Sequence, residues 1–297
     1  MRGSTRGSAV VRAETPVAPH PATGVRRARR DWTLRLALAW IGMMTFAAVA
    51  GPWLPLPDPN HMDMLDPKAA WSTAHWFGTD AFGRDVLSRL VAGARVSLAV
   101  GVLAPLVGLA CGTALGMAAG YFRGRLDTVV TGGIDVLLAF PPLVLTLATV
   151  AYLGQSATKL TLILGFIFIP AFTRVARAAT LTWAQREFVH AAKALGATHL
   201  RILLRELLPN VAMPLIAFFL VAVAVTVVAE GAVSFLGLGV PPPQASWGGM
   251  IAEGRESLDS APALAFLPAI VMFVTVLAFN LVGDALRART DARRSAP

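Results

Sequence analysis

The chain has 297 residues, 56% hydrophobic and 14% charged, with a mean hydropathy of +0.63; soluble globular chains carry about 25% charged residues. That balance excludes an ordinary water-soluble domain and indicates a membrane protein. The formal charge of +9 does not indicate nucleic acid, because the basic residues collect beside apolar runs, as they do on the cytoplasmic side of a bilayer.

Residues 1–31 are rich in Arg, Pro, Gly and small polar side chains and have no apolar period; they are expected to form a disordered basic tail. A hydrocarbon core about 30 Å thick takes about 20 helical residues, and six such runs follow. The first, Leu36–Leu54, forms with an outer segment a unit over 32–91. Ala48–Ala50 resembles a leader cleavage site, but the run outlasts a leader's apolar region and five more spans follow, so it reads as an anchor. A core with five further runs spans 92–284. Its runs are Val96–Tyr121 with Pro105 inside, Val129–Leu153 interrupted by Asp135, and a short one at about Lys159–Ala176 with Arg174 near its end. Val211–Ala229 continues through Glu230 towards Gly239, Ala263–Val282 closes the series, and 285–297 is expected to be a second tail.

With the amino terminus inside, 20 of the 26 Lys and Arg fall on the cytoplasmic side, which sets both termini inside. The single cysteine, Cys111, lies in an apolar run and forms no internal disulfide. No Gly-x4-Gly-Lys-Ser/Thr sequence occurs, so the chain carries no P-loop. The five histidines lie in the tail and loops and form no catalytic constellation; His61 and His75 form a pair too sparse to argue for a metal.

Between the fourth and fifth runs, within 185–209, stands the polar stretch EFVHAAKALGATHLRILLRELLPN. Phe188, Ala191, Ala192 and Leu195 follow helical spacing with small residues at their centre, and Leu200, Leu203, Leu204 and Leu207 form a second stripe. Two short amphipathic helices are expected, the first ended by Gly196 in the left-handed region, the second capped by Thr198, with Pro209 at the join to the next span. Periodicity leaves open whether they lie on the membrane surface or dock another protein.

The stretch resembles the cytoplasmic "EAA" loop of bacterial ABC importer permeases. The match falls on Ala191, Ala192, Gly196, Leu208 and Pro209, while His190 stands where that pattern has Glu and Glu206 where it has Ile. FGTDAFGRDVLSRLVAGARVSL (77–98), SFLGLGVPPPQASWGGM (234–250) and NLVGDALR (280–287) are similar to further blocks of the dipeptide, oligopeptide and nickel permeases, in the same order. The nearest likeness is to the smaller "C" permease subunit of that group, over about 31–290.

This resemblance implies an all-α integral membrane protein, with six transmembrane helices in the type I ABC importer permease fold, in a bacterial inner membrane. It implies a paired permease subunit, two ATP-binding subunits, an extracytoplasmic substrate-binding protein and the lipid bilayer as partners. No cofactor or metal would be bound by this chain, ATP and Mg being used by the ATPase subunits, and no residue would be catalytic. Phe188, His190, Ala191, Ala192, Leu195, Gly196, Leu208 and Pro209 would form the ATPase-coupling loop. The cargo would be di- or oligopeptides, or nickel or another small solute.

Acids at membrane depth usually face a pathway or a partner. Asp135 and Asp284 are expected in structural ion pairs with Arg174, Arg177 or Arg287, and Glu230 is a candidate for the pathway. In the outer segment Arg84 or Arg89 is expected to brace the mouth against Asp80 or Asp85. An ion-gradient transporter would instead show paired broken helices or a string of intramembrane acids.

Overall fold

The computed structural model describes residues 22–294, with side chains from 32 to 288. The expected tail lies outside the described residues over 1–21. Residues 22–31 already belong to helix α1, Ala22–Ala50, which ends in a 3-10 turn, Gly51–Trp53. Helix α2 covers Val86–Phe122, α3 Gly124–Leu138, α4 Pro142–Leu153 and α5 Ala157–Trp183. After the polar stretch come α8, Leu208–Phe235, the short α9, Trp247–Arg255, and α10, Ala263–Arg294, which runs through much of the expected carboxy-terminal tail. Among the described residues five helices are long and apolar enough to cross a membrane, or six if α3 and α4, bent by 79° at their junction, count as one span.

Three departures from the expected spans have local causes. The third run is broken at Pro141 and Pro142: the residue before a proline is driven out of helical conformation, Pro141 is extended, and Pro142 suits the first turn of α4, where no N–H is needed. The fourth run is not short. Arg174 and Arg177 lie within α5 because acids of α3 meet them, Asp135 at 2.6 Å from Arg174 and Asp127 on Arg177, so the helix continues to Trp183. The second run begins ten residues early, since Asp85 caps α2 by accepting from Ser88 N–H at 2.7 Å.

The most extensive helix contact joins α2 and α5. Gly108, Gly112, Gly116 and Gly120 recur every fourth residue along one face of α2 and are all buried. A Cβ at Gly108 would lie 2.7 Å from Phe168 Cβ, at Gly112 2.8 Å from Ile169 O, and at Gly120 2.9 Å from Arg177 O; at Gly116 it would overlap Thr173 O. Where lipid tails are as apolar as leucine, helices associate through close backbone approach, and small residues at a four-residue spacing permit it. The sequence reading did not single out this stripe. Around the seam, α8 packs on α2 and α10, and α1 leans on α10 and α2 with Trp40 Nε1 donating to Thr275 Oγ1 at 2.9 Å.

Replacing Gly116 by Leu should separate α2 from α5 and destabilise the chain by about 3 kcal/mol, the upper part of the overpacking range. Gly132→Ala, whose Cβ meets nothing within 4 Å, should leave thermal unfolding in detergent unchanged; equal midpoints for the two variants would contradict the seam.

Candidate coupling elbow and the buried carboxylate

The polar stretch folds into an elbow at one end of the bundle. Helix α6 covers Glu187–Ala194; Gly196 follows with φ +77°, a conformation that suits glycine, and closes it. Thr198 then caps α7, His199–Arg201, accepting from Arg201 N–H at 3.4 Å. The second expected helix is not separate. α7 passes through a π turn, Ile202–Leu207, into α8, so that one continuous helix of 37 residues runs from His199 to Phe235. Pro209 has no N–H to give the turn before it and its ring crowds that turn's carbonyl; a wide turn just upstream accommodates this.

The π turn also changes which side chains share a face. Ile202 and Leu207, five residues apart, are both fully buried with Val211, while Leu200 and Leu204 of the expected stripe are exposed. A helical period of 3.6 could not have found Ile202. In α6 the anchor is Val189, fully buried in a cluster with Tyr121, Phe172, Ile202 and Leu207, with Ala192 half-buried against it. Val189 was absent from the sequence-derived stripe, although its spacing to Ala192 could have shown a second face. His190, Ala191, Gly196 and Pro209 are exposed, Leu208 is half-buried, Phe188 is 37% exposed beside Trp183, and Leu195 is 89% exposed. The elbow is braced further by Tyr121 Oη, 2.9 Å from His199 Nδ1, and by Lys193 Nζ, 4.9 Å from the Tyr121 ring centre. One face of α6 is thus locked to the bundle, and the other offers an alanine and two large apolar side chains with little covering.

The acids are arranged differently from one another. Asp135 meets Arg174 in an exposed pair. Asp284 and Arg287 are both exposed, and among the described residues no ion pair holds either, a correction to the expected bridge: on an exposed face of α10 both can remain solvated. Glu230 has no exposed surface and lines none of the larger cavities. It accepts from Ser97 Oγ at 2.9 Å and from Ser234 Oγ at 2.7 Å, joining α8 to α2. Ser97 Oγ in turn accepts from Trp247 N–H at 3.1 Å, which brings in α9.

At the same end of the bundle, Arg84 and Arg89 are buried between two acids. Arg84 Nε donates to Asp80 Oδ2 at 2.6 Å and Arg84 Nη2 to Glu253 Oε2 at 2.5 Å; Arg89 Nη2 reaches Glu253 Oε2 at 3.2 Å. Asp85 takes no part, being occupied by its cap and by His75 Nδ1 at 2.9 Å. Glu253 was missed because it sits on α9, whose nine residues give no span-like signal. No group of three or more His, Cys, Asp or Glu able to hold a metal occurs among the described residues. A cavity of about 750 Å³ lies between the α1 terminus, α2 and the start of α5, lined by residues including Leu54, Arg95, Val96 and Thr158.

The chain is thus a bundle of apolar, membrane-length helices with an exposed, braced elbow between two of them. Residues 112–296 match the model of the binding-protein-dependent transport system inner membrane component. The glutathione transport system permease protein GsiD of Escherichia coli O6:K15:H31 (strain 536 / UPEC) is 39% identical over 269 residues, covering 90% of this chain and 89% of that protein, and GsiD of Shigella boydii serotype 4 (strain Sb227) matches equally. The inward-facing MetNI methionine ABC transporter is similar in fold, with a TM-score of 0.55 at 18% identity over 68% of this chain and 96% of that one. The chain belongs to the family of binding-protein-dependent transport system inner membrane components, and within it to the peptide-type ABC importer permeases. It is the membrane subunit of such an importer, not an enzyme; ATP hydrolysis belongs to separate subunits.

Two predictions follow from the split faces. Val189→Asp should place a carboxylate in the closed cluster and lower the unfolding midpoint, whereas Leu195→Glu should leave it in place; a midpoint lowered equally by both would contradict the assignment of faces. At the other end, Arg84→Ala leaves Arg89 alone between Asp80 and Glu253 and should cost about 1–3 kcal/mol, measured by denaturation in detergent; a neutral outcome would show that the cluster does not brace α9.

Proposed function

We propose that this chain forms half of the membrane pathway of an ATP-driven importer in a bacterial inner membrane, paired with a second permease subunit. Two ATPase subunits bind below it and a substrate-binding protein docks above. Both termini and the elbow are cytoplasmic, as the side carrying 20 of 26 basic residues should be. ATP and Mg are bound by the ATPase subunits and not by this chain. The observation that carries the reading is Leu195, 89% exposed at the end of a helix anchored on its other side by the fully buried Val189; with its neighbours it makes an apolar patch suited to a partner surface. Phe188, Ala191 and Gly196 flank it, and Ala191 leaves room for close approach of that partner.

In this reading the ATPase subunits close on ATP and carry the elbow with them, and the rigid spans tilt from inward-open to outward-open. Reversing a two-state population from 1:99 to 99:1 requires about 5.5 kcal/mol of differential affinity for ATP. The cargo is a peptide-like solute, a class that includes glutathione, the solute named for its relatives. Nickel is the weaker alternative, with no metal cluster among the described residues. An ion-gradient transporter is disfavoured by a single bent span, α3 with α4, where paired broken helices are the mark of that class.

The test is uptake of radiolabelled glutathione and of a dipeptide by cells expressing the whole transporter. Leu195→Glu should abolish uptake while the chain remains in the membrane at its normal level. Uptake that survives this substitution and ATP depletion but stops when the ion gradient is collapsed would replace the reading with the gradient-driven one.

A further inference from the structure

α9 is held at both ends. Its carboxy-terminal half is gripped through Glu253 by Arg84 and Arg89, and Trp247, fully buried, donates from Nε1 to Leu90 O at 3.1 Å. Its amino-terminal end is held by two one-way chains of hydrogen bonds. In one, Trp247 N–H donates to Ser97 Oγ at 3.1 Å, which leaves the serine proton for Glu230 Oε2 at 2.9 Å. In the other, Gly249 N–H donates to Ser246 Oγ at 3.1 Å, Ser246 Oγ approaches Ser234 Oγ at 3.4 Å, and Ser234 donates to Glu230 Oε1 at 2.7 Å. Each hydroxyl receives from the α9 side and so gives towards the carboxylate. Both oxygens of Glu230 act as acceptors, and the chains lead from first-turn amides of α9, which have no partner within that helix, to one carboxyl group.

Glu230 stands on the continuous helix that begins at His199 in the elbow, 31 residues further on, or about 47 Å at 1.5 Å per residue. A packed helix transmits displacement along its axis, and what it moves at its far end depends on what it grips there. We propose that Glu230 is a positioning residue of the transport cycle: it couples α9 to the far end of the elbow helix, so that displacement of the elbow reaches the opposite face of the membrane through these hydrogen bonds. The inference rests on the permease reading. It replaces a pathway role for Glu230 with a mechanical one.

The test uses the whole transporter in proteoliposomes, with this chain carrying Cys111→Ser and a cysteine at Gly249. A Cβ there meets only Ser246 Oγ, at 3.4 Å. The rate at which a maleimide labels that cysteine is compared without nucleotide and after trapping with ATP and vanadate. With Glu230 present the two rates should differ several-fold. Glu230→Gln, which keeps one acceptor, should retain part of the difference, and Glu230→Met, which keeps the volume and no acceptor, should lose it while ATP hydrolysis continues. Ser97→Ala, which cuts one chain and leaves Glu230 in place, should fall with Gln.

Equal responses from Gln and Met would reduce Glu230 to packing and overturn the proposal. So would labelling that ignores nucleotide with Glu230 present, or a full response in Ser97→Ala. A transporter that hydrolyses no ATP with every residue intact would strike the permease reading instead, which separates the two failures.

Discussion

The close approach of α2 and α5 is the constraint on which the rest of the chain depends. Four buried glycines at a four-residue spacing remove the side chains that would hold the two backbones apart, and in a bilayer van der Waals contact of this kind replaces the hydrophobic effect as the cause of helix association. With that pair fixed, α2 can serve as the central rod: α8 lies along it, α1 and α10 close the far side, and α9 caps its amino-terminal end. The elbow rests at the other end of the bundle, where Tyr121 and Phe172 share a cluster with Val189 and Leu207.

The two ends of the bundle are held by different chemistry. At the elbow the contact is mainly apolar, with one side-chain hydrogen bond between Tyr121 and His199, and an apolar cluster can tilt as a body with little directional penalty. At the α9 end it is polar and directional, with buried arginines between two acids and a carboxylate that receives two serine hydroxyls. Removing one partner from such a network leaves a buried group less well paired, so each member helps to hold the geometry of the others. Regular helical geometry is interrupted elsewhere, at the 79° break between α3 and α4 and at the π turn that joins the elbow to α8.

Much of this was legible in the residues. The apolar runs and the turn chemistry of Gly196 and Thr198 follow from hydropathy and backbone preference. Other features were hidden for identifiable reasons. Arg174 and Arg177 read as the end of a span although Asp135 was expected to pair with one of them; the partner of Arg177, Asp127, lies 50 residues away and was not among the expected acids. Ile202 escaped because a π turn breaks the helical period. The glycine stripe of α2 is visible in GLACGTALGMAAG once small residues are counted at every fourth position, but a hydropathy scan averages it away. Ser97, Ser234 and Ser246 are individually unremarkable; only the fold brings them to Glu230.

The central claim is that motion generated in a companion polypeptide enters through the exposed face of α6. A photo-reactive amino acid in place of Leu195, activated in living cells, tests it most directly. Capture of an ATP-binding protein at Leu195, and its loss when the probe is moved to the buried Val189, is the predicted result. Capture of lipid alone at Leu195, in a chain shown to be folded and in the membrane with its companion subunits, would contradict it.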